Sequence, residues 1–105
     1  MSAVNLTNKQ FQELLQEEKP ILLDFWAPWC GYCRRIAPAY DRIAQQYGED
    51  IVVAKVNIDE EPELANAEKI EVIPTLVLYK DGKAVDFLIA PEAQTAIAQF
   101  IQKNL

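Results

Sequence analysis

Hydrophobic positions along the chain switch between the three-to-four-residue spacing of helices and the continuous runs of buried strands. A helix is predicted after a capping box formed by Thr7 and Gln10, and it should end at Lys19–Pro20. A strand that is apolar on both faces follows at Ile21–Trp26, with Asp24 as its one charged residue. That pattern is typical of a central strand with parallel neighbours.

The rest of the chain continues this alternation and adds a hairpin at Asp81–Gly82, a dipeptide typical of tight turns between strands. The further predicted elements are a helix from about Cys33 to Gly48, a strand at Ile51–Asn57, a helix at Asp59–Lys69, strands at Thr75–Tyr79 and Ala84–Ile89, and a last helix opened by Pro91–Glu92. Pro38 lies inside the second helix and should kink it. Because the first half needs parallel pairing and the hairpin adds antiparallel strands, we expect one α/β domain over residues 1–105, with a mixed sheet between helices.

Composition restricts the chemistry available to the chain. Ten Lys and Arg against sixteen Asp and Glu leave a net charge of −6, which disfavours nucleic-acid binding. There is no histidine, so histidine-based triads, histidine-dependent zinc sites and imidazole proton relays are excluded. Two cysteines without histidine can neither complete an ordinary four-ligand zinc site in one chain nor build a disulfide framework.

The apolar runs and the first residues of the chain indicate where the protein should work. The longest apolar runs have about six residues, far fewer than the roughly 20 that span a membrane. Residues 1–7 have neither a basic segment nor a long apolar run, so no targeting segment is predicted. We therefore expect a soluble, cytoplasmic protein that does not bind membranes. A structural disulfide would not persist there, so the cysteine pair should be redox-active or linked to a metal.

The two cysteines, Cys30 and Cys33, lie where a predicted strand ends and a predicted helix begins. Residues three apart on a helix are about 5–6 Å from one another, which is within disulfide range. Free N–H groups and the helix dipole favour an anion at the helix start, so Cys30 should be an exposed thiolate nucleophile. Cys33, one turn further in, should be more buried and act as the resolving cysteine. The alternative is a pair of small buried hydrophobic residues.

Several segments together resemble the thioredoxin family, over nearly the whole chain. They are Asp24, the run Phe25–Cys33 around the two cysteines, Pro38, the segment Ala54–Asp59 and the tripeptide Ile73–Thr75. The resemblance implies the thioredoxin fold, a central mixed sheet that begins near residues 3–6 and is flanked by four helices. It also implies a thiol–disulfide oxidoreductase that reduces protein disulfides through Cys30 and Cys33 and is itself reduced by a thioredoxin reductase. Such a protein should work as a monomer without a metal or other cofactor.

Asp24 and Lys55 are charged residues in predicted buried strands, where a charge is costly unless it is paired or functional. Burial raises the pKa of a carboxyl group, so Asp24 is a candidate proton acceptor near neutral pH. The resemblance places Asp24 beneath the disulfide, as the base that takes the proton of Cys33 directly or through water. Lys55, on the neighbouring strand, is the candidate partner that moderates its charge. The alternative is that both residues lie near strand ends and are solvated.

Residues around the cysteines form the substrate-binding surface that the resemblance implies. The residues assigned to it are Trp29, Gly31, Tyr32, Ile73, Pro74 and Ala90. Trp29 should offer a flat apolar platform to a partner. The low frequency of cis bonds before proline predicts a trans Ile73–Pro74 bond. The resemblance instead implies a cis bond that faces the sulfurs, presents the Ile73 backbone to a substrate and excludes metal. The alternative is an ordinary proline at the start of a strand.

Tyr32 and Ala90 depart from the family pattern, which usually has proline and glycine at these positions. Because proline lacks an N–H, Tyr32 restores a donor near the Cys30 sulfur, which predicts a less reducing protein than its Tyr32→Pro variant. The Ala90 methyl group, followed by a proline, should narrow the substrate groove. Arg34 and Arg35 add a positive rim that either stabilises the thiolate, steers acidic partners or forms a solvated helix face.

Two other functions stay open at this point. The sequence Cys-Gly-Tyr-Cys is also similar to the active site of some glutaredoxins, which use glutathione or share an iron–sulfur cluster across a dimer. Trp29 directly before Cys30 argues against that alternative. The third function is that of a structural subunit, which would use the fold as a clamp and need neither cysteine.

Overall fold

Strands and helices alternate along the chain in the computed structural model, which describes residues 2–105. The strands in this part of the chain are β1 (Val4–Asn5), β2 (Ile21–Trp26), β3 (Val52–Asn57), β4 (Thr75–Lys80) and β5 (Lys83–Ile89). The helices are α1 (Asn8–Leu14), α2 (Gly31–Tyr47), α3 (Pro62–Ala67) and α4 (Gln94–Asn104). This order is that of the predicted elements, and β1 lies where the family resemblance places it.

The sheet is mixed, with the strand order β1–β3–β2–β4–β5. The central strand β2 pairs in parallel with β3 and antiparallel with β4. At one edge, β5 pairs antiparallel with β4 across the turn at Asp81 and Gly82. The φ angles of these two residues are 54° and 77°, which are the left-handed conformations that a two-residue hairpin turn requires. The predicted α/β architecture with a mixed sheet is confirmed.

Successive residues of β2 point to opposite faces of the sheet, and helices cover both faces. Leu22 packs in a core with residues of α2 and α4, among them Tyr40. Leu23 packs on the other face, with Phe11 of α1 and with residues of α3. Because Asp24 follows Leu22 in this alternation, its side chain lies on the face covered by α2. A carboxyl group is thereby placed beneath the helix that carries the cysteine pair.

Helix boundaries differ from the predicted ones where the backbone or a cap decides them. α1 stops at Leu14 rather than at the predicted proline, because tight turns with bonds to carbonyls three residues back follow it. α2 begins at Gly31, since the Cys30 side chain caps it. α3 ends before Lys69, which has a positive φ of 58°. α4 begins only at Gln94, because the residue before it is extended.

The helix α2 runs from Gly31 to Tyr47 as one continuous element, with Pro38 inside it. A kink at Pro38 therefore stays a prediction. None of the helices in residues 2–105 combines the length and the apolar character needed to cross a membrane.

Candidate active site

Cys30 and Cys33 are joined as a disulfide at the start of α2, with their Cα atoms 5.2 Å apart. Cys30 is the N-cap residue of the helix and has extended backbone, with φ −84° and ψ 107°. The backbone N–H of Cys33 donates a hydrogen bond to Cys30 Sγ over 3.1 Å. The sulfur of Cys30 therefore occupies the position of a side-chain cap, where an oxygen acceptor is the usual group. A negative charge on this atom would be stabilised by the same N–H and by the helix dipole.

The two sulfurs differ less in exposure than the sequence predicts. Cys30 is 8% exposed and Cys33 is 3% exposed. The predicted order is right, but Cys30 is not an exposed residue. The reason is its surroundings: both cysteines pack with Ala27, Trp26, Tyr32 and Ile73. The Ile73 carbonyl oxygen lies 3.9 Å from Cys30 Sγ and covers one side of it.

Asp24 is buried on β2, with 4% of its surface exposed, and its Oδ1 atom has no hydrogen-bond partner. Burial raises the pKa of Asp24 to about 7, and the positive charge of Lys55 opposes this rise. The carboxyl group lines a cavity of about 60 Å³ that it shares with Cys33, Tyr40 and Lys55. A cavity of this volume that has a carboxyl group in its lining is large enough for a water molecule. The alternative that Asp24 is a solvated residue near a strand end is wrong.

Lys55 lies in register with Asp24 on the neighbouring parallel strand β3. Its ammonium group lies 5.0 Å from the centre of the Trp26 ring, within the range of a cation–π interaction. In residues 2–105, the salt bridge with a nitrogen–oxygen distance within 4.0 Å is the one between Lys103 and Asp86. The Lys55 ammonium group therefore does not contact the Asp24 carboxylate directly. Lys55 therefore acts on Asp24 through space, and its half-buried position leaves it partly solvated.

The loop at Ile73 and Pro74 lies beside the disulfide. The peptide bond between these residues is cis, as the resemblance implies and against the expectation from frequency alone. The Pro74 carbonyl accepts a hydrogen bond of 2.9 Å from the N–H of Ala90. This bond connects the cis-proline loop to the segment after β5, so that three segments meet at the site.

Trp29 projects from the redox turn and is 65% exposed. Its indole N–H donates to the carboxylate of Asp59, with 3.0 Å to Oδ2. Trp26 is half-buried against the cysteines, and its indole N–H donates to the side chain of Asn5 over 2.9 Å. Asp59 is a site residue that sequence reasoning missed, because it lies 30 positions from Trp29 in the chain. The turn after β3 brings it there, and no local pattern signals that contact.

Tyr32 contacts the segment after β5, next to Ala90, in a way that the sequence did not indicate. The Tyr32 hydroxyl donates to the Pro91 carbonyl over 3.1 Å, which ties α2 to the segment after β5. In the disulfide form, the amide that bonds to Cys30 Sγ in residues 2–105 is that of Cys33, and the effect of the Tyr32 N–H on the thiolate stays a prediction. Ala90 has a positive φ of 46°, a conformation that favours glycine.

Gly31 is the exposed first residue of α2 and has no positive φ. A Cβ atom there would meet only the end of the Arg34 side chain, at 3.9 Å. Sterics therefore do not demand glycine at this position. Tyr40, on the buried face of α2, donates its hydroxyl to the Ala54 carbonyl over 2.6 Å. It also lines the Asp24 cavity.

A cysteine pair that can open and close at the start of a helix, on a mixed sheet of this topology, is the defining feature of the thiol–disulfide oxidoreductases. The family model for thioredoxin matches residues 2–103. The chain is 46% identical to thioredoxin 1 of Nostoc sp. over 105 residues, which cover 99% of this chain and 98% of that protein. It is also 46% identical to thioredoxin 1 of Synechococcus elongatus over 104 residues, with 98% and 97% covered. A solved structure of Plasmodium falciparum thioredoxin superposes with a TM-score of 0.89 at 33% identity, covering 98% of this chain and 100% of that one.

The chain therefore belongs to the thioredoxin family. It is a thiol–disulfide oxidoreductase that reduces protein disulfides through the Cys30–Cys33 pair. The comparisons give no support to a glutaredoxin-like function. The predicted fold class, a thioredoxin fold with a central mixed sheet and four flanking helices, is confirmed.

Proposed function

We propose that Cys30 is the attacking and Cys33 the resolving cysteine of a two-step exchange. In the first step, the Cys30 thiolate attacks one sulfur of a partner's disulfide, and the partner's other sulfur leaves as a thiolate. In the second step, the Cys33 thiolate attacks Cys30 Sγ, which forms the intramolecular disulfide and releases the partner's second sulfur. The partner gains two electrons and this protein loses two. The observation that carries the assignment is the N-cap position of Cys30, with the Cys33 N–H directed at its sulfur.

Asp24 is the proposed acceptor of the Cys33 proton before the second step. Both residues line the same small cavity, which has room for a water molecule to carry the proton between them. A carboxyl group with a pKa of about 7 is half ionised near neutral pH, so it can both accept and return a proton. Lys55 supports this role by favouring the ionised form of Asp24.

The partner's polypeptide is proposed to bind across the surface formed by Trp29, Gly31, Tyr32, Ile73, Pro74 and Ala90. Trp29 offers an exposed ring, held by Asp59, on one side of the disulfide. The Ile73 backbone borders the Cys30 sulfur on another side. A partner chain that lies here has its disulfide within reach of Cys30.

The wider context follows from the family. We propose that the protein acts as one monomeric thioredoxin domain over residues 1–105, located in the cytoplasm. It would carry electrons from a thioredoxin reductase to disulfide-bonded proteins, and so contribute to cell redox homeostasis, without a bound cofactor. Oxidation and reduction of its own sulfurs supply the chemistry.

Trapping experiments test the assignment of the two cysteines. The Cys33→Ser variant should accumulate a stable mixed disulfide with an oxidised substrate such as insulin, because the resolving thiol is missing. The Cys30→Ser variant should trap far less, and the wild type should reduce insulin with a thioredoxin reductase and NADPH. Equal trapping by both variants, or trapping through Cys33 alone, would overturn the assignment.

A further inference from the structure

A groove lies between α2 and the segment that precedes α4, on the far side of Tyr32 from the disulfide. It has a volume of about 290 Å³ and is lined by Arg35 and Arg42 of α2, by residues 91–94 and by apolar residues such as Ile36 and Ile97. We call it the arginine groove. One end of the groove adjoins Tyr32, because the Tyr32 hydroxyl donates to the Pro91 carbonyl and the Arg35 guanidinium lies 5.9 Å from the centre of the Tyr32 ring.

The two arginines of the groove are exposed and lack an acidic partner. Neither takes part in a salt bridge in the described part of the chain. Arg42 donates its Nε–H to the neutral side chain of Gln94 over 2.7 Å, and Arg35 contacts an aromatic ring. Glu92 also borders the groove, yet it forms no ion pair with either arginine. Their charges are therefore available to a ligand from outside.

The rest of the molecule makes this concentration of positive charge unusual. The whole chain has a net charge of −6. In contrast, α2 contains three arginines against one acidic residue, Asp41, whose carboxylate accepts the N–H of Ala3. A positive groove that adjoins Tyr32, on an otherwise acidic protein, favours negatively charged partners and repels positively charged ones.

The spacing of the arginines indicates the shape of the ligand. Arg35 and Arg42 are separated by two helical turns, which corresponds to about 10 Å along the axis. An extended polypeptide rises about 3.3 Å per residue, so two of its side chains about three positions apart span a similar length. Guanidinium groups bind carboxylates through paired hydrogen bonds, which makes aspartate and glutamate the matching side chains.

We propose that the arginine groove binds an acidic segment of the partner protein, with two carboxylates two to four residues apart, next to the disulfide being reduced. This inference rests on the proposed function, since the segment belongs to the same polypeptide that Cys30 attacks. It defines a preferred class of substrate: disulfide proteins whose reactive cysteine is followed or preceded by acidic residues.

Matched peptide substrates test the proposal. Three peptides share one disulfide and differ in a flanking pair of residues, which is Glu, Gln or Lys. The wild type should reduce the Glu peptide with the highest kcat/KM and the Lys peptide with the lowest. In the Arg35→Gln/Arg42→Gln variant, kcat/KM for the Glu peptide should fall about 3- to 10-fold, mainly through KM, and the value for the Gln peptide should stay within twofold. Added salt should reduce the preference of the wild type.

The control variant is Lys9→Gln/Lys83→Gln, which removes the same two positive charges from exposed lysines on α1 and at the β4–β5 turn. It should leave the preference for the Glu peptide unchanged. An equal fall in kcat/KM for the Glu peptide in this variant would show that the preference depends on net charge and not on the groove. Equal kcat/KM values of the wild type for the three peptides would also overturn the proposal. Reduction of the Gln peptide reports on the proposed function separately, because that peptide carries no charge for the groove. A Cys-free Glu peptide that binds the oxidised wild type but not the double variant would support the groove without any redox step.

Discussion

Asp24 and Lys55 lie side by side in register on neighbouring parallel strands, yet no direct ion pair joins them. The carboxyl group points into a small cavity beneath the disulfide, whereas the ammonium group lies over the ring of Trp26. A direct pair would hold Asp24 ionised at all physiological pH values. The separation instead leaves burial as the larger effect, so the pKa of Asp24 stays near 7.

The raised pKa of Asp24 predicts that the oxidised protein loses stability as pH rises from about 4 to 7. The folded protein retains the proton in this range, whereas the unfolded chain, with a pKa of 3.8, releases it. A pKa shift of this size lowers the free energy of unfolding by on the order of 4 kcal/mol once Asp24 is fully ionised. The Asp24→Asn variant lacks this titration. Urea unfolding should therefore show the variant more stable than the wild type above pH 7, with the difference shrinking towards pH 4.

The control for this measurement is the Asp59→Asn variant, which removes a carboxylate from an exposed position near the same site. Its unfolding free energy should follow the wild-type pH profile. A wild type whose stability relative to Asp24→Asn does not change between pH 4 and 9 would show that Asp24 titrates normally.

Removal of the Lys55 charge should raise the pKa of Asp24 further. Lys55 is the group that lowers this pKa, and Lys55→Gln leaves burial unopposed. The ¹³C chemical shift of the Asp24 carboxyl carbon, followed through a pH titration of the oxidised protein, reports the change directly. Lys9→Gln removes the same charge from an exposed position on α1 and should leave the pKa of Asp24 unchanged. An unchanged or lowered pKa in Lys55→Gln would contradict the through-space role.

The sequence predicted the fold well because each element carries a local signal. The apolar run at β2 and the Asp81–Gly82 turn were sufficient to predict a mixed sheet, and each was found where expected. The capping box at Thr7 is present with both of its hydrogen bonds. Helix ends were predicted less well, since they depend on single backbone angles such as that of Lys69.

Residue patterns alone predicted the candidate site where its residues stand close together in the chain, whereas the place of Ile73 and Pro74 beside the sulfurs was implied by the family resemblance. The spacing of Cys30 and Cys33 indicates a redox-active pair, and the charge of Asp24 within an apolar run indicates a functional residue. The contacts of Trp29 with Asp59 and of Tyr32 with Pro91 join residues 30 and 59 positions apart. Such contacts depend on how loops are positioned by the finished sheet, and no local pattern of residue types specifies them.

Loss of the Tyr40 hydroxyl should destabilise the protein by about 1–2 kcal/mol. Tyr40 is buried, with 1% exposed, and its hydroxyl donates to the Ala54 carbonyl over 2.6 Å. Tyr40→Phe removes the hydroxyl donor of that carbonyl. Tyr47→Phe, on the same helix, is the matched control, because the Tyr47 hydroxyl is an exposed acceptor for Gln102. Urea unfolding at pH 7 should give a loss for Tyr47→Phe below about 0.5 kcal/mol, and equal losses would refute a special role for the Tyr40 bond.

The positive φ of Ala90 predicts that glycine at this position increases stability. An L-residue in the left-handed region costs roughly 1–2 kcal/mol, and Ala90→Gly removes that cost. Glycine also adds freedom to the unfolded chain, which costs about 0.4–1 kcal/mol. The first effect is larger, so the net gain in unfolding free energy should be about 0.5 kcal/mol. In Ala84→Gly, at an exposed position within β5, only the added freedom of the unfolded chain acts, so this variant should be less stable than the wild type. Changes of opposite sign in the unfolding free energies of the two variants, measured with urea, would establish the strain at Ala90. A lower unfolding free energy in both variants would disprove it.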